Sequence, residues 1–329
     1  MKVLYIYRHP SMGYSIEKVF RPIEQEMGGY AEVSSIHMPV SGYMPINLWK
    51  NINYVRNVLR KERYDVVHIT GAEHYLIPFL KKYKLVVTVH DLGTDQKKSL
   101  KFIWRYCLWI KTLQFADRLT FVSRKTYKES LDFCNFRMNQ CVVIPNPLSQ
   151  EFCRIDKKFN SSKPVILHIG TMERKNLQGT IQALNGINCH LRIIGDLNNE
   201  QLRLLRDNGI EYSNASQLTD NQILEEYSHC DIVSFPSFYE GFGMPIIEAQ
   251  KVGRPVVTSC IHPMDEVSGG AAVLVNPYDI NEIRDGFKKA ISDYKSLIIA
   301  GYKNAEKYNV VNIAQQHLLV YRNLLKCDK

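Results

Sequence analysis

Short apolar runs recur along the chain, most of them apolar at successive rather than alternate positions, and stretches with helical spacing separate them. The runs predict strands at Val3–Tyr7, Ala31–Ile36, Asp65–Ile69, Leu85–Val89, Arg118–Val122 and Cys141–Ile144. A second set follows at Pro164–Ile169, His190–Ile194, Asp231–Phe235, Pro255–Thr258 and Ala272–Val275. A strand apolar throughout suits a parallel sheet covered on both faces. Between the runs, the spacing predicts helices over Ile46–Arg60, Leu100–Ala116, Leu177–Leu184, Asn221–His229 and Ile280–Asp293. This alternation, seen twice, predicts an α/β chain of two doubly wound domains. Prolines, serines and charges break the periodicity between Asn146 and Lys163, so the domains are expected at 1–155 and 163–304. Residues 305–329 read as a helix that folds back on the first domain. Ligands of open α/β sheets bind outside the carboxyl ends of the strands, so two such domains facing across a cleft would hold a ligand in it.

The length of 329 residues is too great for one comfortable core and agrees with two domains. No apolar stretch approaches the roughly 20 residues that span a bilayer. Met1-Lys2 leads straight into the first apolar run, not into a secretory leader. The expectation is a cytoplasmic protein, soluble or peripheral at the inner face of the membrane. Eight cysteines lie scattered without a C-x-x-C pair, which predicts reduced, mostly buried thiols and no zinc site. The net charge of +9 is unevenly placed: residues 1–150 hold 22 Lys+Arg against 12 Asp+Glu, and the remainder 20 against 21. Such an excess suits an anionic membrane surface or a phosphorylated acceptor, and serves plain solubility equally well. Lys97 to Trp109 mixes bases with aromatics, as an interfacial helix or a docked amphipathic helix would. No recognition helix or RNP-like strand points to nucleic acid.

The most informative segment runs from Phe235 to Ala249. A strand ends at Pro236, a turn with glycines at 241 and 243 follows, and Pro245 stands where a helix should begin. The glycines let the backbone approach a ligand, and the N–H groups at the helix start suit a phosphate or a sugar hydroxyl. Glu240 in the turn and Glu248 on the helix are carboxylates of the kind that make two-pronged hydrogen bonds to hydroxyls. A second cluster, His168-Ile169-Gly170-Thr171-Met172-Glu173-Arg174-Lys175-Asn176, sets two adjacent cations after a strand, where they could neutralise a departing diphosphate.

The Glu240-to-Ala249 segment resembles the E-x₇-E signature of the retaining GT-B glycosyltransferases of family 4, and Gly253-Arg254-Pro255-Val256-Val257 resembles the strand that follows it. The resemblance is dense over 164–278 and sparse before residue 65. It implies a GT-B fold of two Rossmann-like domains. It also implies that Glu248 holds the donor ribose, while Glu240 with the backbone of Gly241, Phe242 and Gly243 meets the transferred sugar. Gly170, Thr171, Arg174 and Lys175 would take the diphosphate, although many members carry Arg where this chain has Thr171. His90, in an H-D pair after a strand, would approach the donor sugar. Gly13 is the remnant of a Gly-Gly donor loop, and Ser216 and Leu218 lie where relatives contact the base.

The reaction these parts imply is transfer of a sugar from a nucleotide diphosphate sugar to a hydroxyl of a glycan or lipid-linked acceptor, with retention, as in cell-surface glycan assembly. No cofactor is expected, and no Asp-x-Asp metal motif occurs in a plausible loop, so metal independence is expected. Two other readings stay open. A GT-B-shaped sugar-nucleotide epimerase would act without an acceptor. A degenerate nucleotide-sugar-binding module would bind a donor without turning it over.

Overall fold

The computed structural model describes residues 1–92 and 106–326. Within them, twelve strands build two six-stranded sheets, parallel throughout, in the orders β2-β1-β3-β4-β5-β6 and β12-β11-β10-β7-β8-β9. The first sheet comprises β1 (Lys2–Tyr7), β2 (Glu32–His37), β3 (Val66–Ile69), β4 (Leu85–Val89), β5 (Arg118–Phe121) and β6 (Cys141–Val143). The second comprises β7 (Val165–Ile169), β8 (His190–Ile194), β9 (Tyr212–Ala215), β10 (Ile232–Phe235), β11 (Val256–Ser259) and β12 (Val273–Val275). Each expected run is a strand within one or two residues. The addition is β9, whose Tyr-Ser-Asn-Ala sequence carries no apolar run. It sits at an edge, where side chains need not be buried on both faces.

The chain divides into two compact units. One joins Met1–Ser149 to the segment from Val310 onward, and the other is Gln150–Asn309. The division falls at Ser149, earlier than the expected 155. The C-terminal helix, Val310–Lys326, begins later than expected, because the chain first runs through the helix Tyr294–Ala305 and a 3₁₀ turn, Glu306–Tyr308. Asn309 then adopts an extended conformation that separates the turn from the final helix. That helix buries Val310, Ile313, Leu318, Tyr321 and Leu324 against β1 and the helix Ser15–Met27. A buried polar network fixes its rotation. The Tyr321 hydroxyl lies 2.6 Å from His68 Nδ1 and 3.0 Å from the Tyr5 hydroxyl, and His68 Nε2 lies 2.8 Å from Thr88 Oγ1.

The helix expected over Leu100–Ala116 is not α-helical where it is described. Tyr106–Ile110 forms a π turn and Lys111–Phe115 a 3₁₀ turn. Residues 97–105 of the basic aromatic stretch lie outside the described residues. No helix among the described residues is long and apolar enough to cross a membrane.

Candidate functional site

In the second sheet, β7 leads through β8 to β9 on one side, whereas β10 starts the return on the other, so the order reverses between β7 and β10. Loops leaving the carboxyl ends of these two neighbours diverge there and leave room for a ligand. The β7 loop carries Gly170 to Asn176, and the β10 loop carries Pro236 to Gly243. Asn176 sews them together. Its backbone is left-handed, its Oδ1 caps the helix Leu177–Leu184 through the Gly179 N–H, and its Nδ2 donates to the carbonyls of Pro236 and Pro277. Phe238 N–H also donates to the Arg174 carbonyl at 2.8 Å.

The sewn loops bring three expected site residues into direct contact. Arg174 Nη1 donates to Glu240 Oε2 at 2.9 Å, and Lys175 Nζ donates to Glu240 Oε1 at 2.7 Å. Each carboxylate oxygen therefore takes one cation, and two positive groups converge on one negative group. The three differ in setting: the Arg174 side chain is 40% exposed, against 13% for Lys175 and 10% for Glu240. Lys175 also lies 4.6 Å from the centre of the Phe235 ring. Burial pulls its pKa down from the ordinary lysine value, opposed chiefly by Glu240, with Glu248 adding to the opposition. Glu240 was expected to meet sugar hydroxyls; here its two oxygens engage the cations.

Glu248 is held differently. It projects from the helix Met244–Val252, and its Oε2 accepts a 2.7 Å hydrogen bond from the buried Tyr227 hydroxyl. Gly243 starts this helix with φ 112°, no side chain caps it, and proline occupies its first turn. A Cβ at Gly243 would stand 3.1 Å from Ile246 Cδ1. The Phe242 ring is buried and packs edge-on to Tyr308, so this side chain anchors the turn whose backbone was expected to meet the sugar.

The β7 and β8 loops interlock as well. Gly170 has φ 96°, and a Cβ there would press on Lys175 at 3.0 Å, so glycine leaves room for the lysine stem. Thr171 Oγ1 donates to the Asp196 carbonyl at 2.7 Å, and its own carbonyl accepts from Gln201 Nε2. Thr171 thus braces the loop. Ser216 and Leu218, both half-buried, lie on the turn after β9, at the same sheet edge, with Gln217 between them at φ 55°. Sequence reasoning missed Tyr227, which no local pattern links to Glu248. His168, which opens the second sequence cluster and has no role assigned there, lies buried in β7 beside Ser234 and Thr180. Burial and the nearby Lys175 charge push the His168 pKa down to about 3, so the ring is neutral.

His90 and Gly13 belong to the first unit, each in a loop at the carboxyl end of a strand. His90 Nε2 donates to the Thr70 carbonyl at 2.9 Å, which leaves Nδ1 as the acceptor nitrogen. Gly13, at φ 96°, accepts at its carbonyl from Arg8 Nε at 3.1 Å, and Arg8 Nη2 also reaches Ser15 Oγ.

The family model "Glycosyl transferases group 1" matches residues 149–308, and "Glycosyltransferase Family 4" matches residues 19–152. An uncharacterized glycosyltransferase of Methanocaldococcus jannaschii is 33% identical over 307 residues, covering 80% of this chain and 77% of that protein. The serotype-specific mannosyltransferase WbdA of Escherichia coli is 25% identical over 283 residues, covering 78% of this chain. The alignment covers only 33% of WbdA, so the chain spans about a third of that relative. Among solved structures, sucrose-phosphate synthase from Thermosynechococcus elongatus superposes with a TM-score of 0.82 at 18% identity, over the whole of both chains. Two parallel six-stranded sheets with this likeness make the fold GT-B.

Proposed function

Because the chain belongs to the glycosyl transferases group 1 family, we propose that it moves a hexosyl unit from a nucleotide diphosphate sugar to an acceptor hydroxyl, with retention, in the assembly of a cell-surface glycan. The observation that carries this reading is the meeting of Arg174, Lys175 and Glu240 where the order of the second sheet reverses. Two cations at a sheet's carboxyl edge, beside an uncapped helix start, suit a diphosphate. The serotype-specific character of the mannosyltransferase WbdA supports a surface glycan as product.

In the proposed reaction the bond from the anomeric carbon to the diphosphate breaks and a bond to the acceptor oxygen forms on the same face. The acceptor proton passes to the departing diphosphate. Arg174 and Lys175 stabilise the leaving charge. Glu248, oriented by Tyr227, binds the donor ribose, and Glu240, released from its cations as the diphosphate takes its place, turns to the transferred sugar. His90 is assigned to the donor sugar. The residues need no metal ion for this chemistry, and the protein works at the inner face of the membrane on a glycan or lipid-linked acceptor.

Transfer from UDP-, GDP-, ADP- and dTDP-linked sugars is the direct test, with wild type beside Lys175→Ala. One donor should be turned over by wild type, and the variant should lose about 100-fold or more while remaining folded. Equal rates in the two proteins would refute the assignment.

A further inference from the structure

The excess charge of the first unit has a focus away from the loops that carry Gly13 and His90. The helix Pro45–Lys61 ends in Arg60 and Lys61, Arg63 precedes β3, and Lys82 and Lys84 precede β4. All five line one cavity of about 630 Å³, with Tyr83 among them. Because β3 and β4 are parallel, this cavity lies at the amino edge of the sheet, whereas Gly13 and His90 follow the carboxyl ends of β1 and β4.

Two acids share the cavity, and both are already engaged. Glu62 is paired with the Lys2 ammonium and accepts from the Tyr64 hydroxyl. Asp65 accepts from the Lys2 backbone N–H at 2.7 Å. Arg60, Lys61, Arg63 and Lys82 have no carboxylate partner among the described residues. Arg60 and Lys61 suit the negative end of the helix on which they stand. Arg63 and Lys82 stand outside that helix, and both are exposed. Lys82 lies over the Tyr83 ring, 5.0 Å from its centre, which keeps its ammonium at the cavity wall. Cations gathered in a concave site, with their nearest acids already engaged, recognise a compact group of at least two negative charges.

We propose that this cavity is a phosphate-binding site, separate from the proposed donor site, that takes a phosphomonoester or diphosphate group. Its source is either a lipid headgroup or a soluble phosphate, since both present the same oxygens. The inference does not rest on the glycosyl-transfer reading, and the two fail separately.

The test is calorimetric titration with inorganic pyrophosphate, run on wild type, Lys175→Ala and the double variant Arg63→Glu/Lys82→Glu. Wild type should bind two equivalents. Lys175→Ala should lose the one belonging to the second unit. The double variant should retain that one and weaken the other by roughly tenfold or more. Both substituted side chains are exposed, and Arg63→Gln/Lys82→Gln should show the same loss without reversed charge. An unchanged second equivalent in both double variants overturns the site, whatever Lys175→Ala does. Sedimentation with phosphatidylcholine vesicles containing phosphatidylglycerol identifies the source. Wild-type binding that the double variants lose assigns a lipid headgroup, and pyrophosphate binding without vesicle binding assigns a soluble ligand.

Discussion

Removing Glu240 should cost far more than its single position suggests, because it neutralises a lysine that burial disfavours. Lys175 is 13% exposed at its side chain and donates 2.7 Å to Glu240, so Glu240→Ala strands an ammonium in a dry site. Breaking a buried pair from one side costs about 3–5 kcal/mol. The Arg174 contact adds little to that figure, since its side chain is 40% exposed and screened by water. Lys175→Met should be milder, about 1–2 kcal/mol, because Glu240 keeps Arg174 at 2.9 Å. In the double variant neither charge is stranded, so its cost should fall short of the sum by about 2 kcal/mol or more. Urea denaturation followed by far-UV circular dichroism measures all four corners of the cycle. Tryptophan fluorescence gives a separate trace of the first unit, because Trp49, Trp104 and Trp109 all precede residue 150. The pH dependence has a definite sign. With the folded-state pKa of Lys175 below its unfolded value, the unfolded chain binds more protons between the two, and stability rises with pH through that window. Glu240→Gln should extend the window to lower pH, since it removes the chief group holding that pKa up. Additivity of the two substitutions within about 0.5 kcal/mol would refute this reasoning.

Glu248→Ala should abolish donor turnover with the fold intact, whereas Tyr227→Phe, which removes only the 2.7 Å hydrogen bond, should raise the donor KM more than it lowers kcat. A chelator should leave the transfer rate unchanged; activity that disappears and returns with added Mg²⁺ or Mn²⁺ would count against metal independence. Gly195 has φ 135°, and a Cβ there would meet Thr171 Cγ2 at 2.9 Å, so Gly195→Ala should disturb the β7 loop and slow transfer. Donor titrations that match wild type would sink that expectation. His317 is buried among Phe20, His68 and Tyr321, and burial pushes its pKa down to about 3. Its unfolded form takes a proton near the ordinary histidine value, so stability is lost as pH falls from there toward 3, at up to about 1.4 kcal/mol per pH unit. His317→Phe should flatten that slope, and an identical acid profile in denaturant titrations would exclude the assignment.

Local sequence determined the strands, because a parallel strand covered on both faces is apolar along most of its length, and Leu85–Val89, buried at all five positions, meets that demand unaided. It also determined where the glycine turn and the helix after it fall, since Gly243 and Pro245 carry their backbone preferences with them. An edge strand such as β9 meets no such demand, and its polar residues left no mark. The contacts that define the candidate site belong to the tertiary structure. Arg174 and Glu240 are 66 residues apart, and Tyr227 and Glu248 are 21 apart, so nothing in their neighbours' pattern relates them. Arg174 and Glu240 meet because β7 and β10 are adjacent in a sheet whose order reverses between them, and Tyr227 and Glu248 meet because the helices before and after β10 pack together. The tertiary structure also decided that Glu240 neutralises Lys175, a role that a carboxylate and a lysine acquire only when the fold removes them from water together.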